Sequence, residues 1–409
     1  MTTTTLATPA RLDAGRRGSP WRRAVLAALA RLRGGALELE ENGVKRLLGE
    51  PGGLLARVTV RHPRFWRRVA LGGSLGAGES YADGDWEVDD LTAAVRLLAR
   101  NHAALRGLDG GLSLLRRPLD LGFALLRRNS RAGARRNIAD HYDLGNDFFA
   151  LMLDPTMTYS SGVWDRPGCT LEEAQVRKLD LLCRRLRLRP EDHLLEIGTG
   201  WGSLAIHAAS RYGCRVTTTT LSRAQWELAS ERVRAAGLAG RVTLLRDDYR
   251  DLRGSFDKVV SCEMIEAVGA EQYETFFARC ASLLAPRGAL ALQAITIGDE
   301  RYERARREVD FIKRHVFPGS CIPSITALVG AAGRAGGFRL RELQDYGPDY
   351  ARTLAAWRAN LAASRAAVER LTDELFRRLW HYYLCYCEGG FAEGYIGVSQ
   401  LVFGRAGEA

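Results

Sequence analysis

Leu194-Leu195-Glu196-Ile197-Gly198-Thr199-Gly200-Trp201-Gly202 is the stretch that decides the fold. An apolar run carrying one acid ends in a turn with glycine at every second position. Ser203-Leu204-Ala205-Ile206-His207-Ala208-Ala209 follows with helical character. The order is strand, turn, helix. Glycines stand where a backbone must approach a ligand or adopt left-handed dihedrals. The stretch therefore predicts a small nucleotide-like ligand at the carboxyl end of a strand.

The surrounding chain alternates in the same way. Strands are expected at residues 193–197, 215–220, 242–245, 258–261 and 289–294, with helices between them. Such alternation argues for a parallel sheet covered by helices on both faces. Two additions interrupt it. One spans residues 300–337 and contains an expected helix at 302–316; the other, residues 350–386, reads as a helical pair. Pockets for a substrate are usually built from additions of this kind.

Upstream, residues 1–20 read as a disordered leader. Residues 21–33 read as a basic amphipathic helix, with Val25, Leu26, Leu29 and Leu32 at helical spacing. Residues 36–70 look like strands, and residues 71–86, rich in glycine, like turns. A helix is expected after Asp90, with helical patterns to residue 128. Residues 129–136 form a polar, basic linker. The expected organisation is a small N-terminal α+β domain at 21–128 and a catalytic domain at 137–409.

Composition narrows the class. The 409 residues carry a net charge of +11, and 46% are apolar, enough for a sizeable core. Residues 1–140 hold 24 Lys/Arg against 14 Asp/Glu, so nearly all of the excess lies in the first third. That is a footprint for a polyanion, either nucleic acid or an anionic membrane surface. No run approaches the length of a membrane span, and no secretory signal is expected. The eight cysteines are scattered without metal-ligand spacing, which predicts free thiols and no metal.

The turn's neighbours separate two ligand classes. A dinucleotide site wants an acid about 20 residues on, for the ribose. The next strand instead ends Thr217-Thr218-Thr219-Thr220-Leu221-Ser222. Farther on, Asp247-Asp248-Tyr249 offers a flat wall and an acceptor suited to adenine. This combination fits S-adenosylmethionine better than a dinucleotide.

Several motifs then occur in order: His141-Tyr142-Asp143-Leu144-Gly145-Asn146, Tyr159-Ser160-Ser161-Gly162, Gly200-Trp201-Gly202, Thr220-Leu221-Ser222-Arg223-Ala224-Gln225, Met264-Ile265-Glu266-Ala267-Val268-Gly269 and Gly347-Pro348-Asp349-Tyr350. Together they resemble the cyclopropane fatty acid synthase family, from about residue 37 to residue 403. The resemblance implies a class I S-adenosylmethionine methyltransferase fold, Rossmann-like, with a helical substrate cap. It implies transfer of a methyl group to a cis double bond of a phospholipid acyl chain, leaving a carbocation. Tyr159, Tyr249, Phe276, Tyr350 and Trp357 are candidates to face that cation.

The resemblance also implies site residues. Tyr159, Ser160, Glu196, Gly198, Gly200, Trp201, Gly202, Thr220, Ser222, Gln225, Asp248 and Tyr249 are expected at the cofactor. A bound bicarbonate is the family's base, and its cradle carries over to Glu266, the backbone at Ile295, and Tyr350. Two cradle positions depart: Ser161 stands where members carry Cys, and Gln293 where they carry His. Neither is readily charged, so a methylene-branched chain is the other outcome of the same cation. Cys387 matches a cysteine once proposed as catalytic, in a setting that suits a packing thiol. The expected partners are unsaturated phospholipids of an anionic membrane surface and, as a second copy of the chain, a homodimer. The expected location is cytoplasmic, against the inner membrane. No nucleic acid is expected, because no RNA-reading module is resembled. The non-enzymatic alternative is a lipid-binding protein that keeps only the cofactor fold.

Overall fold

Two sheets organise the chain. The computed structural model describes residues 19–105 and 145–405, with Arg127 and Gly133 between them. The helical patterns toward residue 128, the linker at 129–136 and the motif residues 141–144 fall outside the described residues, apart from those two positions.

The first sheet is built from β1 (Gly35–Glu41), β2 (Val44–Gly49), β3 (Leu54–Val60) and β4 (Trp86–Val88), in the order β2-β1-β3-β4. The helix Pro20–Leu29 opens this region, capped by the Ser19 side chain, so the expected leader stops short of residue 20. Its apolar face is already used: Val25 and Leu29 are buried. Arg22 pairs with Glu41 at 2.7 Å and lies over the Trp66 ring.

Of the glycine-rich residues 71–86, 83–85 form a turn as expected and Trp86 opens β4, but 71–82 are not turns. The helix Arg64–Ala82 runs through them, kinked at Gly73, where φ is 51°. Gly76 and Gly78 serve close packing. A Cβ at Gly78 would lie 2.4 Å from a ring carbon of Phe311, a separation no side chain tolerates. The helix Leu91–Arg100 follows where expected, capped by the Asp90 side chain.

The second sheet has seven strands: β5 (His193–Ile197), β6 (Arg215–Thr219), β7 (Val242–Leu245), β8 (Phe256–Cys262), β9 (Leu284–Ile297), β10 (Phe338–Asp345) and β11 (Ile396–Arg405). Their order is β10-β11-β9-β8-β5-β6-β7. The five expected strands are present and parallel. The sheet is nevertheless mixed, because β11 runs antiparallel between β9 and β10. The expected helix at 302–316 is two short helices, Asp299–Ala305 and Phe311–His315, and the expected helical pair is three: Gly347–Ala363, Arg365–Leu371 and Glu374–Ala392.

The helix Glu374–Ala392 ties the two sheets' regions together. Arg378 donates to the Tyr81 carbonyl at 2.8 Å and lies over its ring. Glu393, just beyond, pairs with Arg96 and Arg100. His381 meets the Tyr81 hydroxyl at 3.0 Å. Burial, then Arg358 and Arg378, pushes the His381 imidazole down to about 4. An unfolded imidazole titrates near about 6.5. Between those values the unfolded chain binds the extra proton, so stability falls as pH falls through this window. His381→Gln is expected to flatten that part of the thermal midpoint's pH dependence. An unchanged slope would remove His381 as its source.

Candidate active site

The strand order reverses direction between β5 and β8, and the crevice at their carboxyl ends is where an open α/β sheet holds ligands. The glycine turn leaves β5 there. Glu263 and Glu266 leave β8 beside it, and Ile295 lies on the neighbouring β9.

Gly198, Gly200 and Gly202 all have positive φ. At Gly200, with φ of 53°, the position a Cβ would take is open space, so the turn keeps its backbone bare toward the crevice. Gly202 caps the helix Ser203–Tyr212. Trp201 is buried and donates to Asn146 at 2.8 Å. Glu196 accepts from the Thr218 hydroxyl at 2.6 Å, and burial pushes its carboxyl up to about 8. Thr220 donates to Gln225 at 2.8 Å, and both line the crevice. Tyr159, Ser160 and Tyr249 line it too.

Two expected cofactor residues are engaged by local hydrogen bonds. Ser222 caps the helix Arg223–Ala235, its hydroxyl accepting from the Gln225 N–H. Asp248 is held by Arg250 through bonds of 2.8 and 2.6 Å and is not among the residues lining the cavity. Asp247 lines the crevice in its place. Both side chains are satisfied locally, and the motif gave no sign of that.

The carboxylates form the chemical centre. Glu263 Oε1 accepts from the Ser161 N–H at 2.9 Å and from Gln293 Nε2 at 2.8 Å; Oε2 accepts from the Tyr350 hydroxyl at 2.7 Å. Burial holds its carboxyl above the usual range, opposed by those donors and by Lys178. Glu263 also has φ of 50°, a left-handed conformation that costs a non-glycine residue about 1–3 kcal/mol. Glu266 Oε1 accepts from the Ile295 N–H, while Oε2 has no hydrogen-bond partner among the described residues. Burial, then the neighbouring Glu263, pushes Glu266 up to about 8. Lys178, itself buried, sits 2.6 Å from the Ser160 hydroxyl oxygen.

A cavity of about 1410 Å³ joins these groups to both sheets' regions. From the cofactor turn it passes Tyr159, Phe317, Tyr350 and Tyr383, and reaches Leu37, Val58 and Trp86 around the first sheet. Tyr350 stacks on Phe391 at 4.3 Å. Phe276 and Trp357 are fully buried behind the wall; Trp357 backs Tyr159 at 5.2 Å. Cys387 lines the cavity, but burial pushes its thiol far up, which leaves it a packing group rather than a thiolate.

The family described as mycolic acid cyclopropane synthetase matches residues 129–401. The chain belongs to this family. It is an S-adenosylmethionine-dependent methyltransferase of the cyclopropane-fatty-acyl-phospholipid synthase type, acting on lipid acyl chains. It is 41% identical over 350 residues to the tuberculostearic acid methyltransferase UfaA1 of Mycobacterium tuberculosis, covering 83% of this chain and 81% of that one. It is 38% identical over 360 residues to the cyclopropane-fatty-acyl-phospholipid synthase of Escherichia coli, covering 87% and 90%. The solved mycolic acid cyclopropane synthase CmaA1, complexed with SAH and CTAB, superposes with a TM-score of 0.63 at 34% identity, over 66% of this chain and 98% of that one.

Within this cyclopropane synthetase family's frame, the expected bicarbonate cradle is altered. Of its expected members, Tyr350, Gln293 and the Ser161 backbone all donate to Glu263. The Ser161 hydroxyl donates to the Gly162 carbonyl instead, and Gln293 Oε1 accepts from Gln400. A free bicarbonate would meet no uncommitted donor in this set and a carboxylate in its place. The residues present do not fit it. Sequence reading singled out Glu266 and passed over Glu263, three residues earlier in Glu263-Met264-Ile265-Glu266. Among the described residues, no three His, Cys, Asp or Glu side chains gather as a metal site, and no helix is long and apolar enough to cross a membrane.

Proposed function

We propose that the protein methylates the cis double bond of an unsaturated phospholipid acyl chain and closes it to a cyclopropane. The observation that carries this reading is the cavity of about 1410 Å³, which continues from the glycine turn between apolar and aromatic side chains to the first sheet. Its volume and lining suit an acyl chain, and the N-terminal residues 21–128 are read as the lipid-facing part. Glu196, the backbone of Gly198–Gly202, Thr220, Gln225, Asp247 and Tyr249 are the residues proposed to hold S-adenosylmethionine. When bound, that molecule supplies an electrophilic methyl group on a sulfonium.

An alkene is a weak nucleophile, so the channel's task is to align it with the methyl group and exclude water. Tyr159 and Tyr350 offer ring faces to the cation that follows. Tyr350 keeps its proton, since burial and Glu263 hold its hydroxyl far above the ordinary range. The excess of basic residues before residue 140 supports approach to an anionic membrane surface at the inner face of the cell.

A second reading has its own support. The cradle departures at Ser161 and Gln293, with 41% identity to a protein named for tuberculostearic acid, favour a methylene-branched product. After the methyl group adds, a hydride shift from the methylated carbon to its neighbour moves the cation. Loss of a methyl proton then leaves a C=CH2 branch on the chain.

Incubation with methyl-labelled S-adenosylmethionine and vesicles of monounsaturated phosphatidylglycerol and phosphatidylethanolamine is expected to label the acyl chains. Absence of label at every composition would exclude both readings. The two products are isomers of equal mass, so ozonolysis separates them: only the methylene branch is cleaved.

A further inference from the structure

We propose that Glu263 is a built-in general base that stands in for an external anion in the last step of the reaction. The inference rests on the proposed acyl-chain methylation and names the group that completes it.

The geometry carries the argument. Three donors from distant parts of the chain converge on one carboxylate: the Ser161 N–H, Gln293 Nε2 and the Tyr350 hydroxyl. A carboxylate offers about four lone-pair positions. Two donors occupy Oε1 and one occupies Oε2, which leaves one position, on Oε2, for a proton. Glu263 lines the cavity alongside Tyr350 and Ile295. Its backbone also sits in the left-handed region, where an acid has no local reason to be. The Glu263 N–H bonds the Gln293 carbonyl at 2.8 Å, so the same pair of residues fixes both ends of the base.

Glu266 is less suited to the task. Its two oxygens differ, one accepting from the Ile295 N–H and the other unpartnered. Two adjacent buried carboxyls do not both ionise readily. Lys178 favours the ionised form of Glu263. Glu263 is therefore the carboxylate, and burial strengthens it as a base.

The alkene's π pair forms a bond to the methyl carbon, and the carbon–sulfur bond breaks with its pair on sulfur, leaving a neutral thioether. The neighbouring alkene carbon becomes a cation. Glu263 Oε2 takes one proton from the new methyl group. The released C–H pair closes the ring onto the cation. After a hydride shift, the same pair forms the π bond of a methylene branch instead. The base is the same for either product.

The test compares wild type, Glu263→Gln and Glu263→Gly in carbonate-scrubbed buffer, with and without added bicarbonate. Wild-type turnover is expected to be unchanged by bicarbonate. Glu263→Gln is expected to lose about 100-fold or more in turnover, with S-adenosylmethionine affinity within about threefold of wild type. Glu263→Gly frees the three donors, and bicarbonate or formate is expected to restore its turnover at least about tenfold. Carbon-13 NMR titration with labelled bicarbonate gives a readout that needs no turnover: wild type should not bind it, and Glu263→Gly should. Bicarbonate binding to wild type, a bicarbonate requirement in wild type, or near-normal turnover of Glu263→Gln would each overturn the proposal. If Glu263→Gly does not fold, Glu263→Gln and the wild-type titration still decide. If wild type labels no acyl chain, the functional reading fails, and the NMR titration still judges Glu263.

Discussion

Glu266→Gln is expected to make the protein more stable than wild type at pH 8 to 9. The Glu266 carboxyl keeps its proton in the folded state up to about 8. In the unfolded chain it ionises near about 4.3. Between these values the folded state binds more protons, so raising the pH withdraws stability and completes the loss as it passes the folded value. A glutamine cannot titrate. Relative to wild type it should therefore gain on the order of 3 kcal/mol between pH 5 and pH 9. Urea midpoints at both pH values measure this, and parallel curves would contradict it. The same protonation makes glutamine a fair copy of the neutral acid at pH 7: its Oε1 still accepts from the Ile295 N–H. Turnover at pH 7 should stay within about tenfold of wild type, in contrast to Glu263→Gln. A loss as large as that of Glu263→Gln would put the charge on Glu266 instead.

Trp357→Ala is expected to lower the unfolding free energy by about 3–5 kcal/mol. Trp357 is fully buried, backs Tyr159 at 5.2 Å and meets Tyr350 edge-on at 6.1 Å. Deleting the indole leaves a void beneath two walls of the cavity, so turnover should fall as well. Trp357→Phe is the control. The indole N–H has no hydrogen-bond partner among the described residues, so phenylalanine gives up volume but no bond. Its cost should be about 1–2 kcal/mol. Equal losses for the two variants in urea titration would show that packing at this position is not what the indole supplies.

The central strands were legible because parallel strands buried on both faces read as continuous apolar runs. β5 was expected at its observed bounds for that reason. β10 escaped because Phe338-Arg339-Leu340-Arg341-Glu342-Leu343-Gln344-Asp345 is an exposed edge strand dressed in charge. The glycines of residues 71–86 misled in the opposite direction, since glycine marks close packing as well as turns. In the site, residues that act through backbone or through sequence neighbours were readable, as in Gly198–Gly202. Ser222 and Asp248 were not, because a helix cap and Arg250 had already claimed them. Glu263 was the hardest. Its significance comes from Ser161, Gln293 and Tyr350, each brought to it from a different part of the fold. One chain read in order gives two acids three apart, and its motif points to Glu266 rather than Glu263.

The left-handed backbone at Glu263 bears on how such a site arises. It is a conformation glycine adopts freely, so exchanging the two residues asks nothing of the main chain. Glutamate and glycine codons differ by a single nucleotide. An enzyme that borrows its proton acceptor from dissolved carbonate and one that carries it in its own sequence are thus neighbours in mutational space. Crossing between them would change what the cell's inorganic carbon supply means for its membrane chemistry, with the fold left as it was.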